Sequence, residues 1–178
     1  MTSGERLFSH HIHMPDVLIL MGSDSDAPTM QPAVDVLKEF GITSEMTVAS
    51  AHRSPARVTR LVAEAPSRGV KVFIVGAGAA AHLGGVVAAH TTLPVIGVPI
   101  DSSALKGLDA LLSTVQMPPG VPVATVSIGK PGATNAGVLA AQIMGVGDRA
   151  IAKKLDDYKK QLADKVEAAA ARLHGPTA

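Results

Sequence analysis

The stretch DVLILMGSDSD, Asp16 to Asp26, decides the fold. DVLILM (16–21) is an apolar run with branched side chains, the composition of a buried strand. The polar GSDSD (22–26) follows at once. Thr29 to Phe40 then carries Met30, Val34 and Leu37 on one helical face. Asp26 is the expected N-cap. Pro28 suits a first turn, while Pro32 is expected to kink or delay the helix.

The same unit repeats along the chain. SEMTVA (44–49) reads as a second strand, and a helix runs from Pro55 to about Arg68. VKVFIVG (70–76), PVIGVPI (94–100) and VPVATVSIG (121–129) read as further strands. AAAHLGGVVAAH (79–90), LDALLSTVQ (108–116) and Asn135 to Met144 read as the helices between and after them. A last helix, about Asp148 to Leu173, stripes Ile151, Leu155, Tyr158, Leu162 and Val166 along one side. Strand and helix in strict alternation imply a parallel sheet covered on both faces. The expectation is α/β: a three-layer, doubly wound, flavodoxin-like domain over 15–178, including the C-terminal helix 148–173. Residues 1–14 are expected to form a disordered tail.

Composition narrows the function. The chain has 178 residues, 47% hydrophobic and 17% charged, too apolar for a disordered protein. That apolar balance suggests surface buried in an oligomer. A net charge of +1 without a basic block gives no reason to expect nucleic acid or an anionic membrane as partner. Cysteine is absent, which removes disulfides, thiolate zinc sites and cysteine nucleophiles and fits a reducing cytosol. No apolar run approaches the length of a membrane span. His10, His11 and His13 could bind a metal, but a polar tail is the favoured reading.

In parallel sheets of this kind, ligands sit beyond the carboxyl ends of the strands. Three loops lie there. In GSDSD, backbone N–H groups with Ser23 and Ser25 make an anion seat, while Asp24 and Asp26 could cap the helix or hold sugar hydroxyls. A simple turn and cap is an equal alternative. In SAHRSP (50–55), Arg53 can grip a phosphate with its fork of donors, and His52 can exchange a proton near neutral pH. Position at the ligand edge favours function over a solvated loop. In VGAGAAAHLGG (75–85), Gly76, Gly78 and Ala81 match G-x-G-x-x-A, with Asp101 beyond the next strand. That mimics a dinucleotide fingerprint, but on the third unit rather than the first. A backbone-lined pocket and plain close packing compete with it. His82 and His52 without a third ligand make a poor metal site, so His82 is read as shaping its loop, and His90 as serving a helix C-terminus.

Taken together, MGSDSD, SAHR, GAG with AAHL, LPVIGVP, LLS with VQMP, and PVATVSIGK with NAG occur in this order across Met21 to Met144. This closely resembles the PurE family of purine biosynthesis. Arginine after the histidine in SAHR resembles the class I branch, the N5-carboxyaminoimidazole ribonucleotide mutases. The direct carboxylases typically carry lysine there. The resemblance implies a cytoplasmic isomerase that moves a carboxylate from nitrogen to C4 of an imidazole ribonucleotide, with His52 as acid and then base. It implies no metal, biotin or ATP. It further implies substrate contacts from Ser23, Ser25, Asp26, Ser50 and Arg53, and a CO2 pocket walled by the Gly76–Leu83 loop, with Gly78, Ala79 and His82. Family members assemble as octamers, and their substrate comes from an ATP-dependent synthetase. Where the family usually reads GAGGAAHLPG, this chain has Ala79 and Gly84, which makes the conformation of that loop an open point. The competing readings are a direct CO2-dependent carboxylase, an NAD-dependent oxidoreductase and a non-catalytic nucleotide-binding module.

Overall fold

The structure is a computed structural model that describes residues 14–173. The histidines at 10, 11 and 13 and nearly all of the expected tail lie outside the described residues. Five strands form one parallel sheet: β1 (Val17–Met21), β2 (Ser44–Val48), β3 (Val72–Gly78), β4 (Val95–Ile100) and β5 (Ala124–Thr125), ordered β2-β1-β3-β4-β5. This is the flavodoxin-like order, whose switch point lies between β1 and β3. Val17 stands beside Ser44 and Val72, and Met21 beside Val48 and Gly76, so β1 and β2 end level while β3 runs two residues further, to Gly78.

Alternation along β1 builds both faces. Val17, Ile19 and Met21 join one core with Ile74, Ile96 and Val98, beneath α1 (Ala27–Phe40) and α5 (Gly129–Gly145). Leu18 and Leu20 join the other with Phe73 and Val75, beneath α2 (Pro55–Glu64), α3 (Leu83–Ala89) and α4 (Leu108–Val115). Leu18, Ile19 and Leu20 are fully buried, each worth about 1.5–3 kcal/mol of apolar burial. The helix α5 presents Ala133, Ala136, Ala140 and Ala141 to the core. Its Gly137 has no room for a Cβ, which would lie 3.0 Å from the Ala33 carbonyl oxygen. Small residues therefore let α1 and α5 approach closely.

The last helix, α6 (Arg149–Leu173), docks through Ile151, Leu155 and Tyr158. Tyr158 meets Phe40 edge-on at 5.5 Å. Lys154 Nζ donates to the Phe40 carbonyl, 2.8 Å, closing the end of α1 where Gly41 turns left-handed (φ 74°). Beyond Tyr158 the expected stripe does not continue inward: Leu162 is 39% and Val166 66% exposed. At the opposite edge of the sheet from the strand tips, Asp16 bonds Thr43 and pairs with Lys71. Burial disfavours its charge, but those partners outweigh burial and hold its carboxyl below the usual value.

Several boundaries differ from the expected ones. Helix α1 begins at Ala27 and continues past Pro32 without a break, since a proline this close to the helix start forfeits a single backbone bond. Helix α2 stops at Glu64, since Pro66 opens a separate tight turn that Gly69 ends at φ 80°. Strand β3 runs two residues further than expected, and α3 starts only at Leu83, because Ala79 takes a left-handed φ of 51°. Strand β5 shrinks to two residues: Pro122 lacks a donor for the ladder, and the segment lies at the sheet edge. Helix α5 starts at Gly129 rather than Asn135. Its first turn holds Gly129, which reads as the end of a strand in the sequence, and Pro131 and Gly132, which fall between the expected strand and helix.

Candidate functional site

The carboxyl ends of four strands surround a cavity of about 330 Å³. After β1 it is lined by Gly22, Ser23, Ser25 and Asp26, and after β2 by Ser50 to Arg53. Ala77, Gly78, Ala80 and Leu83 follow from β3, and Ser102 from β4. The parallel register of adjacent strands places these loops side by side at the switch point.

The loop after β1 is locked by its own polar groups. The Ser23 backbone N–H donates to Asp26 Oδ2, 3.1 Å, and Ser23 Oγ accepts from the Ser25 N–H, 3.3 Å. Asp26 is thus not the side-chain cap of α1 that its position suggests. It reaches back instead and closes a reciprocal box around the short turn Asp24–Asp26. The Ser25 hydroxyl donates to Ser23 Oγ at 2.8 Å. Asp26 is only 7% exposed. Burial pushes its carboxyl above the usual value, with Asp24 adding to the rise, while the Ser23 N–H and the Arg53 charge oppose it. A buried carboxyl of raised pKa facing a cavity is a common mark of a functional site.

In the loop after β2, two neighbouring side chains lean on different partners. Arg53 Nη2 donates to the Gly22 carbonyl, 2.7 Å, and its Nε to Ser50 Oγ, 3.3 Å. Those bonds aim the guanidinium along the β1 loop and leave the rest of its fork free for an anion. Ser50 Oγ also accepts the Arg53 N–H, 3.2 Å, so Ser50 sets both the backbone and the side chain of Arg53.

His52 reaches past the end of β1 to the loop after β3. Its Nε2 lies 2.9 Å from His82 Nδ1, with the two rings edge-to-face at 5.0 Å. One ring must donate and the other accept. When His52 donates to His82, its remaining nitrogen is free to take up a proton and give it back without the ring moving. Ser50, His52, Arg53 and Gly78 gather around the cavity as the sequence suggested. Ala79 and His82 border it from the adjoining loop, outside its lining.

Gly76 and Gly78 do not form a dinucleotide turn. Both lie within β3, and no helix opens until Leu83. Gly76 is a glycine because a Cβ there would overlap the Met30 thioether, and Gly78 because one would overlap Ser102 Oγ. Ser102 was missed in the sequence. The strand-end rule, applied to β4 as it was to β1–β3, marks its position. His90 Nδ1 lies 2.8 Å from the Val86 carbonyl, serving the C-terminus of α3. Among the described residues there is no cluster of three or more histidine, aspartate or glutamate side chains fit to hold a metal ion. None of the described helices is long and apolar enough to cross a membrane.

Comparison with known proteins places this geometry. The profile of a family described as AIR carboxylase matches residues 16–165. An N5-carboxyaminoimidazole ribonucleotide mutase of Thermotoga maritima is 54% identical over 160 residues, 90% of this chain and 92% of that protein. One from Bacillus subtilis is 57% identical over 146 residues, 82% and 90% of the two. The crystal structure of Treponema denticola PurE superposes with a TM-score of 0.81 at 31% identity, covering 88% of this chain and 97% of the other.

Proposed function

The chain belongs to the AIR carboxylase family, and on that premise we propose that it is the N5-carboxyaminoimidazole ribonucleotide mutase of de novo purine synthesis. It is an isomerase that acts on a small ribonucleotide. The observation that carries this reading is the extent of identity to proteins of that name, 54% across 92% of the Thermotoga chain. The cavity suits such a substrate, with an anion-binding arginine and a proton-exchanging histidine adjacent in sequence and facing one space.

The roles follow from the chemistry. Arg53, with Ser23 and Ser25, holds the phosphate, and Asp26 and Ser50 orient the substrate and Arg53. Protonated His52 gives its proton to the carbamate nitrogen as the N–C bond breaks and CO2 forms. The CO2 waits in the small-residue pocket by Gly78 and Ala79. C4 of the ring attacks it, forming the new C–C bond. His52, now neutral, takes the C4 proton, which restores the aromatic ring and its own starting state. His82 holds the second ring nitrogen throughout. The cycle balances in atoms and charge with no metal, biotin or ATP. Exclusion of water from the CO2 pocket keeps the intermediate from being lost.

The protein works as a homo-octamer in the cytoplasm, downstream of an ATP-dependent synthetase that makes the carbamate. An exposed apolar row on α4 and the loop before it supports assembly: Leu105, Leu108, Leu112 and Val115 are 48–62% exposed, an unusual density of large apolar side chains for a free surface. The test is turnover of purified protein with N5-carboxyaminoimidazole ribonucleotide, beside aminoimidazole ribonucleotide plus bicarbonate, both without ATP. Efficient conversion of the carbamate alone is expected. Reaction of the second pair only would make the chain a direct carboxylase and overturn the proposal.

A further inference from the structure

Ser113 lies outside the cavity, on α4, and does more than a helical serine usually does. A serine inside a helix commonly returns its hydroxyl to the carbonyl four residues earlier. Ser113 does so, donating to the Asp109 carbonyl at 2.6 Å. Its oxygen then serves a different element: it accepts the backbone N–H of Ala81, 32 residues away, at 3.1 Å. Ala81 is 1% exposed, so water cannot replace that acceptor. The carbonyl of Ala79 also comes within 3.4 Å of Ser113 Oγ.

The next residue is His82, the partner of His52. The C-terminal end of the segment that carries it is held by α3, where the Val86 N–H donates to the His82 carbonyl at 3.0 Å, but the residues before His82 have few bonds of their own. Ala79 sits in a left-handed conformation, both Ala79 and Ala80 are exposed, and the His82 N–H turns back only as far as the Ala80 carbonyl, 2.8 Å. A chain of contacts therefore runs from the α4 hydroxyl through Ala81 to the His82 ring and on to His52.

The geometry points to Ser113 as a positioning residue for the mutase reaction, acting by fixing the Ala79–His82 segment so that His82 holds His52. This inference rests on the role of His52 proposed above. Ser113 touches no substrate. Its contribution belongs to the proton-transfer step and not to binding, since the Arg53 anchor and the β1 loop do not depend on it.

The test compares Ser113→Ala, Ser113→Cys and Ser113→Thr. Alanine removes the acceptor and leaves a buried N–H unpaired. Cysteine keeps the shape with a weak acceptor, and threonine keeps the hydroxyl. Alanine and cysteine are expected to lower kcat about tenfold with KM little changed, and threonine to restore most of the rate. Imidazole nitrogen NMR of the whole protein, without substrate, supplies a second readout: the shared His52–His82 hydrogen bond should be lost in Ser113→Ala and Ser113→Cys and kept in Ser113→Thr. Wild-type kcat in the alanine and cysteine variants, or an unchanged histidine pair in both, would overturn the assignment. If the wild-type protein failed to convert the carbamate, the functional reading would fall, while the NMR comparison would still decide whether Ser113 holds the pair.

Discussion

The loop after β1 and the loop after β3 flank the same cavity but are built in opposite ways. Residues 22–26 are held by bonds among themselves, with Ser23, Ser25 and Asp26 linked within four positions. Residues 79–82 have one short bond among themselves and one to the start of α3, and otherwise lean on distant partners, Ser113 on α4 and His52 on the β2 loop. Arg53 and His52, adjacent in sequence, divide between them: the arginine leans on the first loop and the histidine on the second. The half of the site proposed to hold the anion is thus a local structure. The half proposed to move protons exists only when three separate parts of the chain meet.

The sharpest way to separate the halves is His52→Asn. Asparagine cannot cycle a proton, so kcat should fall by at least about a hundredfold, while nucleotide binding measured by calorimetry stays near wild type. Near-normal turnover would break the division at its root. Arg53→Ala should do the reverse. Loss of charge-assisted bonds to an anion predicts KM raised by about tenfold or more, with a smaller change in kcat. Equal losses in both constants would show that the halves are coupled.

Two stability measurements sharpen the contrast between the loops themselves. Ala79→Gly removes a left-handed alanine, which costs about 1 kcal/mol. The melting temperature should rise by about 2–4 °C for a domain of this size. A fall would mean that the methyl group packs better than its backbone is strained. Asp26→Asn should give a smaller gain with a distinct pH dependence. The folded-state pKa of Asp26 lies above 3.8, so its charge opposes folding most fully above that raised value and not at all below the unfolded one. The variant should therefore melt higher at pH 7, and the gain should vanish as pH falls past 3.8. A gain that persisted in acid would assign the effect to packing and not to charge.

The sequence made the first loop plain and the second obscure, for the same reason. Hydrogen bonds among Ser23, Ser25 and Asp26 span a few residues, so their pattern is local and can be read. Even so, the direction of the Asp26 carboxylate was misread, because capping the next helix and closing the turn before it require the same residue at the same place. The buried strands and the alternation of β1 were legible from apolar runs. The two-residue length of β5 and the early start of α5 were not, since the prolines there serve an edge strand and Gly132 a close approach to the Ser127 carbonyl, both of which depend on tertiary neighbours. His52 and Arg53 stood out by position. Their division between two loops could not, because it depends on strand order, which places β1 between β2 and β3.

The lysine that closes α1 has a consequence for how the protein is made. Lys154 and the Phe40 carbonyl it serves are 114 residues apart. During synthesis, β1, α1 and the serine-rich loop leave the ribosome long before α6 exists. A nascent chain therefore carries its β1 loop early and closes the last turn of α1 locally, through the Gly41 and Ile42 N–H groups, while the Phe40 carbonyl waits for Lys154.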